Sequence, residues 1–329
     1  MPAAKKIVVF ATSFTDELVT HPEGEGQPLR MLQEAAREQD MSLELRTDRN
    51  PGEPLSEAEL DGAAAVIADL ETYSEELLGN VGRGAGGDLG LIARYGIGYN
   101  SVDVRAAARH GVLVTNTPGA NTRPTAEWTV ATLLSVAGRR TAQHEKASRG
   151  RPKSGPSRLD VSGRTLGVIG TGRIGRTVIE LLRPFGMRVL ACDPVQDEAW
   201  AAENGVSYTS LSEVCRTADF ITLHASAGEQ LIGRDELALM SPTTVLINCA
   251  RGVLADNRAV HAAVARGDLW GYGIDEVWEY PDLSLEGLNI IASPHVGSDT
   301  DTGKLNMQFS TARAVAAFLE GRRPEHVVE

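Results

Sequence analysis

The sequence predicts an α/β protein built on two parallel sheets. Three observations carry the prediction. Short β-branched apolar runs alternate with longer segments of helical period from one end of the 329 residues to the other. That alternation belongs to strand-helix-strand units with helices on both faces of a sheet. A glycine-, proline- and serine-rich connector, RGRPKSGPSR, interrupts the series near its middle. With 42% hydrophobic residues the chain buries a full core, and a prior of roughly 150 residues per domain gives two lobes.

In chain order, the first third offers strands at KIVVFAT, SLELRT, AAVIAD, LGLIARYG and GVLVTN. Helices such as LRMLQEAAREQ and VDVRAAARHG separate them, the latter closed by Gly111. The cluster GNVGRGAGGDLG, residues 79–90, lacks the Lys-Ser/Thr ending of a phosphate loop and no helix follows it, so it reads as a flexible turn. One long helix is expected from about Thr122 to Ser148, then the connector. From Arg164 a second series begins, with strands at TLGVIG, RVLACD, DFITLHA, TTVLINCA, GYGIDE and NIIASP. The tail NMQFSTARAVAAFLEG is one amphipathic helix, too short for a domain, and is expected to pack back onto a lobe.

The net charge of −12 opposes general affinity for nucleic acid or an anionic membrane and favours a small-molecule ligand. The stretch Arg139 to Arg158 holds seven Lys or Arg against Glu145 alone, but no aromatics interleave them and they read as a solvated surface. Cys192, Cys215 and Cys249 are too few for a disulfide framework and point to a reducing compartment. No apolar stretch approaches the roughly 20 residues of a membrane span or the core of a signal peptide, so a cytoplasmic protein is expected. No metal centre is expected.

TLGVIGTGRIGRTVIELL places Gly170, Gly172 and Gly175 between an apolar strand and a helix. The spacing has a mechanical purpose: Gly170 allows the tight turn, Gly172 admits a pyrophosphate against bare backbone, and Gly175 lets helix and strand pack closely. The helix N-terminus then turns unpaired N–H groups toward the phosphates. The next strand ends in Asp193, 18 residues past Gly175, where a carboxylate accepts hydrogen bonds from ribose hydroxyls. PVQDE follows without an arginine, so a 2′-phosphate would meet negative charge, and NAD is expected over NADP.

Ligands of open α/β sheets lie at the carboxyl ends of the strands. There the sequence puts His224, then Cys249, Ala250 and Arg251, then Asp275, then His295. The remaining histidines, His21, His110, His144, His261 and His326, read as surface residues. A thiol at the end of an apolar strand, as at Cys249, is read as a packing group rather than a nucleophile.

NTPGANTRPTAEWT, GTGRIG with Asp193, NCARG and SPHVGS, in that order, resemble the D-isomer-specific 2-hydroxyacid dehydrogenase family of phosphoglycerate dehydrogenase-like proteins over nearly the whole chain. The resemblance implies a flavodoxin-like catalytic domain from residues 1–117 and 300–329, an inserted Rossmann NAD-binding domain at 118–299, and an active site between them. It implies that Gly170, Thr171, Gly172, Arg173, Ile174, Gly175, Asp193, His224, Cys249, Ala250, Asp275 and Gly297 line the cofactor, with Asp275 on the nicotinamide carboxamide. Arg251 would bind the substrate carboxylate and polarise its carbonyl, and His295 would be the acid or base. The segment at Tyr95, Gly96, Ile97 and Gly98 would hold the carboxylate through main-chain N–H groups. The family also implies a homodimer formed through the Thr122–Ser148 helix.

The main departure from the family lies beside the histidine. The glutamate that normally partners it lies five residues beyond the aspartate and directly before a proline. Here that count reaches Tyr280, with Pro281 in place. A smaller departure is Trp128, where the family often has histidine. Three accounts of Tyr280 stay open: Glu279 takes over; the Tyr280 hydroxyl orients His295 or touches substrate; or efficient chemistry is lost and the protein senses NAD. The expectation is an NAD-dependent oxidoreductase moving a hydride between nicotinamide and a small 2-hydroxyacid or 2-oxoacid. The alternatives are formate-like, hydrated-aldehyde or phosphonate-type oxidation, with little demand for a proton donor, and a redox-silent sensor.

Overall fold

The structure is a computed structural model and describes residues 5–11, 28–46, 53–151, 157–226 and 228–328. The chain divides into two compact units, Met1–Asn121 with Thr300–Glu329, and Thr122–Asp299. His21 and the connector residues 152–156 lie outside the described residues.

The first unit runs β1 (Lys6–Val9), α1 (Pro28–Glu38), β2 (Ser42–Leu45), α2 (Glu57–Leu60), β3 (Ala63–Ala68), α3 (Glu75–Val81), β4 (Leu91–Arg94), α4 (Val104–Arg109) and β5 (Leu113–Thr115). Among the described residues its strands form a parallel sheet in the order β2-β1-β3-β4-β5, the flavodoxin-like doubly wound arrangement. All six residues of β3 are buried, as a central parallel strand covered on both faces requires.

The second unit follows with α5 (Thr122–Ala137), α6 (Arg140–Ser148), β6 (Thr165–Ile169), α7 (Arg173–Leu182), β7 (Arg188–Cys192), α8 (Glu198–Asn204), β8 (Val206–Tyr208), α9 (Leu211–Thr217), β9 (Phe220–Leu223), α10 (Arg234–Leu239), β10 (Val245–Asn248), α11 (Asn257–Arg266), β11 (Gly271–Ile274) and β12 (Ile290–Ala292). Its sheet, again parallel, has the order β8-β7-β6-β9-β10-β11-β12. Counted from β6 this is the Rossmann order with one strand added, and it reverses between β6 and β9. The last helix, α12 (Asp301–Leu319), returns to the first unit and packs on α1 and β4. No helix among the described residues is long and apolar enough to cross a membrane.

Two expectations need correction, and one strand was not expected. The single helix over Thr122–Ser148 is two, because the chain turns at Arg139 with φ 48° and lays its guanidinium 4.3 Å from the centre of the Trp270 ring. The glycine cluster at 79–90 is not a flexible turn: it ends α3 and continues into a 3-10 turn, Arg83–Ala85. A Cβ at Gly87 would stand 2.1 Å from the Val81 carbonyl oxygen, so the glycines there serve close packing. Strand β8, with Val206 as its buried residue, is too short to show a period in the sequence.

Candidate active site

At the reversal between β6 and β9, Gly170 adopts φ 98° and its Cα lies against the His224 backbone, so a Cβ would meet the His224 carbonyl carbon at 2.6 Å. Gly175 packs on the Gly170 carbonyl oxygen, which a Cβ would approach to 2.1 Å. Gly172 is different: its φ of −70° and ψ of −170° suit any residue, and a Cβ would find nothing within 4 Å. Neither backbone nor packing calls for glycine there, whereas a ligand approaching the bare chain does. The N–H groups of Arg173 and Ile174, at the start of α7, bond no described residue, and an anion at this terminus meets them and the helix dipole together. These residues fit a dinucleotide.

Asp193 faces the same loop. Its Oδ2 accepts from Thr171 N at 2.6 Å and Thr171 Oγ1 at 3.1 Å, and its Oδ1 from Val195 N at 2.8 Å. Two residues that the sequence did not single out brace the loop: Arg176 Nε donates to Thr171 O at 2.8 Å, and the Tyr208 hydroxyl shares a 2.9 Å bond with Thr171 Oγ1. The His224 ring bonds Thr222 Oγ1 through Nε2 at 2.9 Å while its buried Nδ1 has no partner among the described residues. Burial pulls its pKa down to about 4, so the ring is neutral at pH 7. Burial likewise pushes the Cys249 thiol up to about 12, which removes it as a nucleophile.

Asp275 and His295 belong to one hydrogen-bonded assembly. Asp275 is buried at the exit of β11; its Oδ1 accepts from Ser293 Oγ at 2.6 Å and Val296 N at 2.9 Å, and its Oδ2 from Gly297 N at 2.7 Å. The loop it holds carries His295 with φ 57°, a left-handed backbone that costs a non-glycine residue about 1 kcal/mol or more. Two N–H bonds to one carboxylate offset that cost and fix the imidazole's base. Trp128 Nε1 donates to Ser293 Oγ at 3.2 Å, which ties α5 to the same loop. In the sequence Trp128 showed only as a departure from the family's motif, and Ser293 only as the first residue of SPHVGS, with no role assigned to it.

Arg251 follows β10, two strands from β12, a separation of about 10 Å at the spacing of neighbouring strands. Its carbonyl oxygen accepts from Asn248 Nδ2 at 2.8 Å, and its Nη1 donates to Ala250 O at 2.7 Å. Among the described residues no carboxylate pairs with its guanidinium, so the charge is available to an anion. Arg251, Asn257, Glu276, Glu279 and Tyr280 border a cavity of about 570 Å³.

Tyr280 turns its hydroxyl to Asn257 Nδ2 at 3.5 Å, and its ring packs against Trp278 at 5.1 Å and under the Arg258 guanidinium at 5.2 Å. Asn257 Oδ1 in turn accepts from the buried Tyr272 hydroxyl at 2.8 Å. Among the described residues neither Tyr280 nor Glu279 hydrogen-bonds the His295 ring, and no carboxylate pairs with it.

In the first unit, Tyr95 leads into the loop ending at Asn100. Gly96 has φ 139°, its N–H turns back to Arg94 O at 3.0 Å, and Thr117 N and Asn116 Nδ2 hold the Gly96 and Ile97 carbonyls. The N–H groups of Ile97 and Gly98 bond no described residue.

Comparison with known proteins bears on the family and the fold. The NAD binding domain of the D-isomer specific 2-hydroxyacid dehydrogenases matches residues 130–297. A glyoxylate reductase of Korarchaeum cryptofilum is 34% identical over 252 residues, 73% of this chain and 76% of its own. The crystal structure of the TT0316 protein from Thermus thermophilus superposes with a TM-score of 0.81 at 31% identity, covering 98% of this chain and 100% of its own. D-lactate dehydrogenase from Aquifex aeolicus, complexed with NAD and lactic acid, gives 0.77 at 27% identity over 95% and 96% of the two chains. A glycine loop open to a dinucleotide, a Rossmann strand order and these relatives lead to one assignment: the chain belongs to the D-isomer specific 2-hydroxyacid dehydrogenase family, NAD-dependent oxidoreductases that transfer a hydride to or from a 2-hydroxyacid's carbon.

Proposed function

We propose that the chain reduces a small 2-oxoacid of the glyoxylate or pyruvate type with NADH, with Arg251 and His295 as its catalytic residues. The observation that carries the reading is an unneutralised guanidinium after β10 together with a histidine beyond β12 whose loop Asp275 holds. Bound NADH supplies the hydride. The Arg251 fork takes the substrate carboxylate in two parallel hydrogen bonds and withdraws electron density from the adjacent carbonyl. His295 delivers the proton to the oxygen that becomes the hydroxyl. Asp275 keeps an acceptor position for the nicotinamide carboxamide, since its bonds to Ser293, Val296 and Gly297 use three of about four lone-pair sites. Within the first unit, the Ile97 and Gly98 N–H groups, which bond no described residue, support an anion-binding role for the Tyr95–Gly98 loop.

The absence of an acid partner for His295 among the described residues favours a second reading, oxidation of a formate-like substrate whose hydride leaves without a proton donor. A single panel decides: NADH consumption with glyoxylate, pyruvate and hydroxypyruvate, and NAD reduction with formate and phosphite. Turnover in the first arm supports 2-oxoacid reduction. Turnover confined to the second overturns it.

The substrate is a small acid, and we take the active form to be a homodimer. Among the described residues helix α6 has no buried side chain, and α5 leaves Trp128 and Leu134 partly exposed. Sedimentation as a monomer would contradict this. The free thiols of Cys192, Cys215 and Cys249 support a cytoplasmic location.

A further inference from the structure

One acid beside the site has no part in the chemistry described so far. Asp275 and Glu276 are consecutive at the exit of β11, yet their carboxylates bond different loops. β11 lies between β12 and β10. Asp275 reaches one way, to Ser293, Val296 and Gly297 beyond β12. Glu276 reaches the other way, where its Oε2 accepts the Gly252 N–H at 2.9 Å in the loop after β10. A Cβ on Gly252 would lie 3.3 Å from Glu276 Cγ, so the acid rests flush on that peptide.

We infer that Glu276 is a positioning residue for Arg251, and that the tandem Asp275–Glu276 sets the spacing of the arginine and histidine loops from the strand between them. The inference rests on the roles of Arg251 and His295 proposed above. Gly252 opens a 3-10 turn, Gly252–Leu254, for which Arg251 is the N-cap. The N–H at such a position has no acceptor within its own turn, and Glu276 provides one with a charge-assisted bond. The Arg251 carbonyl, on the other side of the same peptide, accepts from Asn248 Nδ2 at 2.8 Å and from Leu254 N at 3.1 Å. The peptide that carries the arginine into its turn is therefore gripped from both ends.

Glu276 makes no ion pair with the guanidinium among the described residues. It fixes the backbone of the arginine without neutralising the charge that an anionic substrate requires. Loss of the grip frees the turn, and a displacement of about 1 Å in a positioning element can cost up to about 100-fold in kcat/KM.

The test uses Glu276→Ala, Glu276→Asp and Glu276→Gln, each in the wild type and in Arg251→Lys, with glyoxylate and NADH as substrates and NADH affinity measured separately by fluorescence. Glutamine keeps an acceptor at the same reach and loses the charge. Aspartate keeps the charge and withdraws the acceptor by one methylene. The expected result is a fall in kcat/KM of about tenfold or more for Ala and Asp, expressed mostly in the KM for glyoxylate, with NADH affinity unchanged. Gln restores activity, and neither Ala nor Asp adds a loss in the Arg251→Lys background. If the Ala variant fails to fold, the Asp and Gln contrast still decides. Equal losses in both backgrounds, or full activity in Ala and Asp beside a crippled Arg251→Lys, overturn the positioning role alone. Unchanged turnover in Arg251→Lys overturns the arginine's role and this inference with it.

Discussion

Alanine at Gly172 is expected to leave the fold as stable as before and to weaken NADH binding at least about tenfold, a loss of about 1.4 kcal/mol. The site has φ −70° and ψ −170°, and a new methyl would meet no atom within 4 Å. Stability should therefore change by no more than about 0.5 kcal/mol. The methyl does fill the space through which a pyrophosphate reaches the unpaired N–H groups of α7, and each charge-assisted bond it lengthens is worth about 1.5–3 kcal/mol. The neighbouring glycines supply the contrast. Alanine at Gly170 must adopt φ 98° and meets the His224 carbonyl carbon at 2.6 Å, and alanine at Gly175 comes to 2.1 Å from the Gly170 oxygen. Both should lower the unfolding temperature, by about 2–4 °C for each kcal/mol lost. Thermal unfolding without cofactor and fluorescence titration with NADH separate the two effects. Wild-type NADH affinity in Gly172→Ala would refute the reasoning, because no phosphate would then lie against that backbone. A destabilised Gly172→Ala would refute it too.

Two further outcomes follow from the site. Arg251→Lys replaces a planar fork with a point charge and should cost about 3 kcal/mol in kcat/KM for a 2-oxoacid, more than 100-fold, with NADH affinity retained. His224 has its pKa lowered by burial to about 4 from the ordinary 6.5. The unfolded chain takes up the proton first, so this contribution to stability is complete above pH 6.5 and is lost as pH falls toward 4, about 3 kcal/mol in all. Unfolding temperatures at pH 7 and pH 4.5 should therefore diverge less in His224→Gln than in the wild type; equal differences would dismiss the buried neutral ring.

The elements legible in the sequence were those with long periods or obligatory glycines. β3 and β6 read as buried parallel strands because every residue in them is apolar, small or buried, and Gly170, Gly172 and Gly175 announced the turn into α7. The helix break at Arg139 was marked in the sequence only by Gly138, and the ring that Arg139 then meets, Trp270, lies more than a hundred positions along the chain. For the same reason the anchoring of the histidine loop by Trp128 and Ser293 could not be read: it depends on which strands neighbour β11. Glu276 shows the limit most sharply. Its sequence position is next to Asp275, yet its target is across the sheet in the opposite direction, and only the strand order reveals that two adjacent acids serve different loops.

Tyr280 is where sequence and structure together make the strongest demand on experiment. The residue is tied into a packing cluster: its hydroxyl faces Asn257, which accepts from Tyr272, and its ring lies against Trp278 and Arg258. Tyr280→Glu should therefore cost the fold only the aromatic and cation-π contacts, about 1–2 kcal/mol together. Arg258 stands close enough to compete for the new carboxylate, but it is already held by both oxygens of Asp282 at 2.6 and 3.0 Å. The glutamate is expected to turn past Asn257 to His295, favour the protonated imidazole and fix its tautomer. Reduction of glyoxylate should rise by about tenfold or more at neutral pH, while any formate oxidation, which needs no proton at the transferred carbon, stays where it was. Steady-state rates with both substrates measure this, with Tyr280→Glu/Arg258→Gln as the control for capture by the arginine. No gain in either variant, with both folded and binding NADH, would mean that the seat beside His295 is not filled from position 280, and that this chain performs its proton step without a carboxylate by design of another part of the loop.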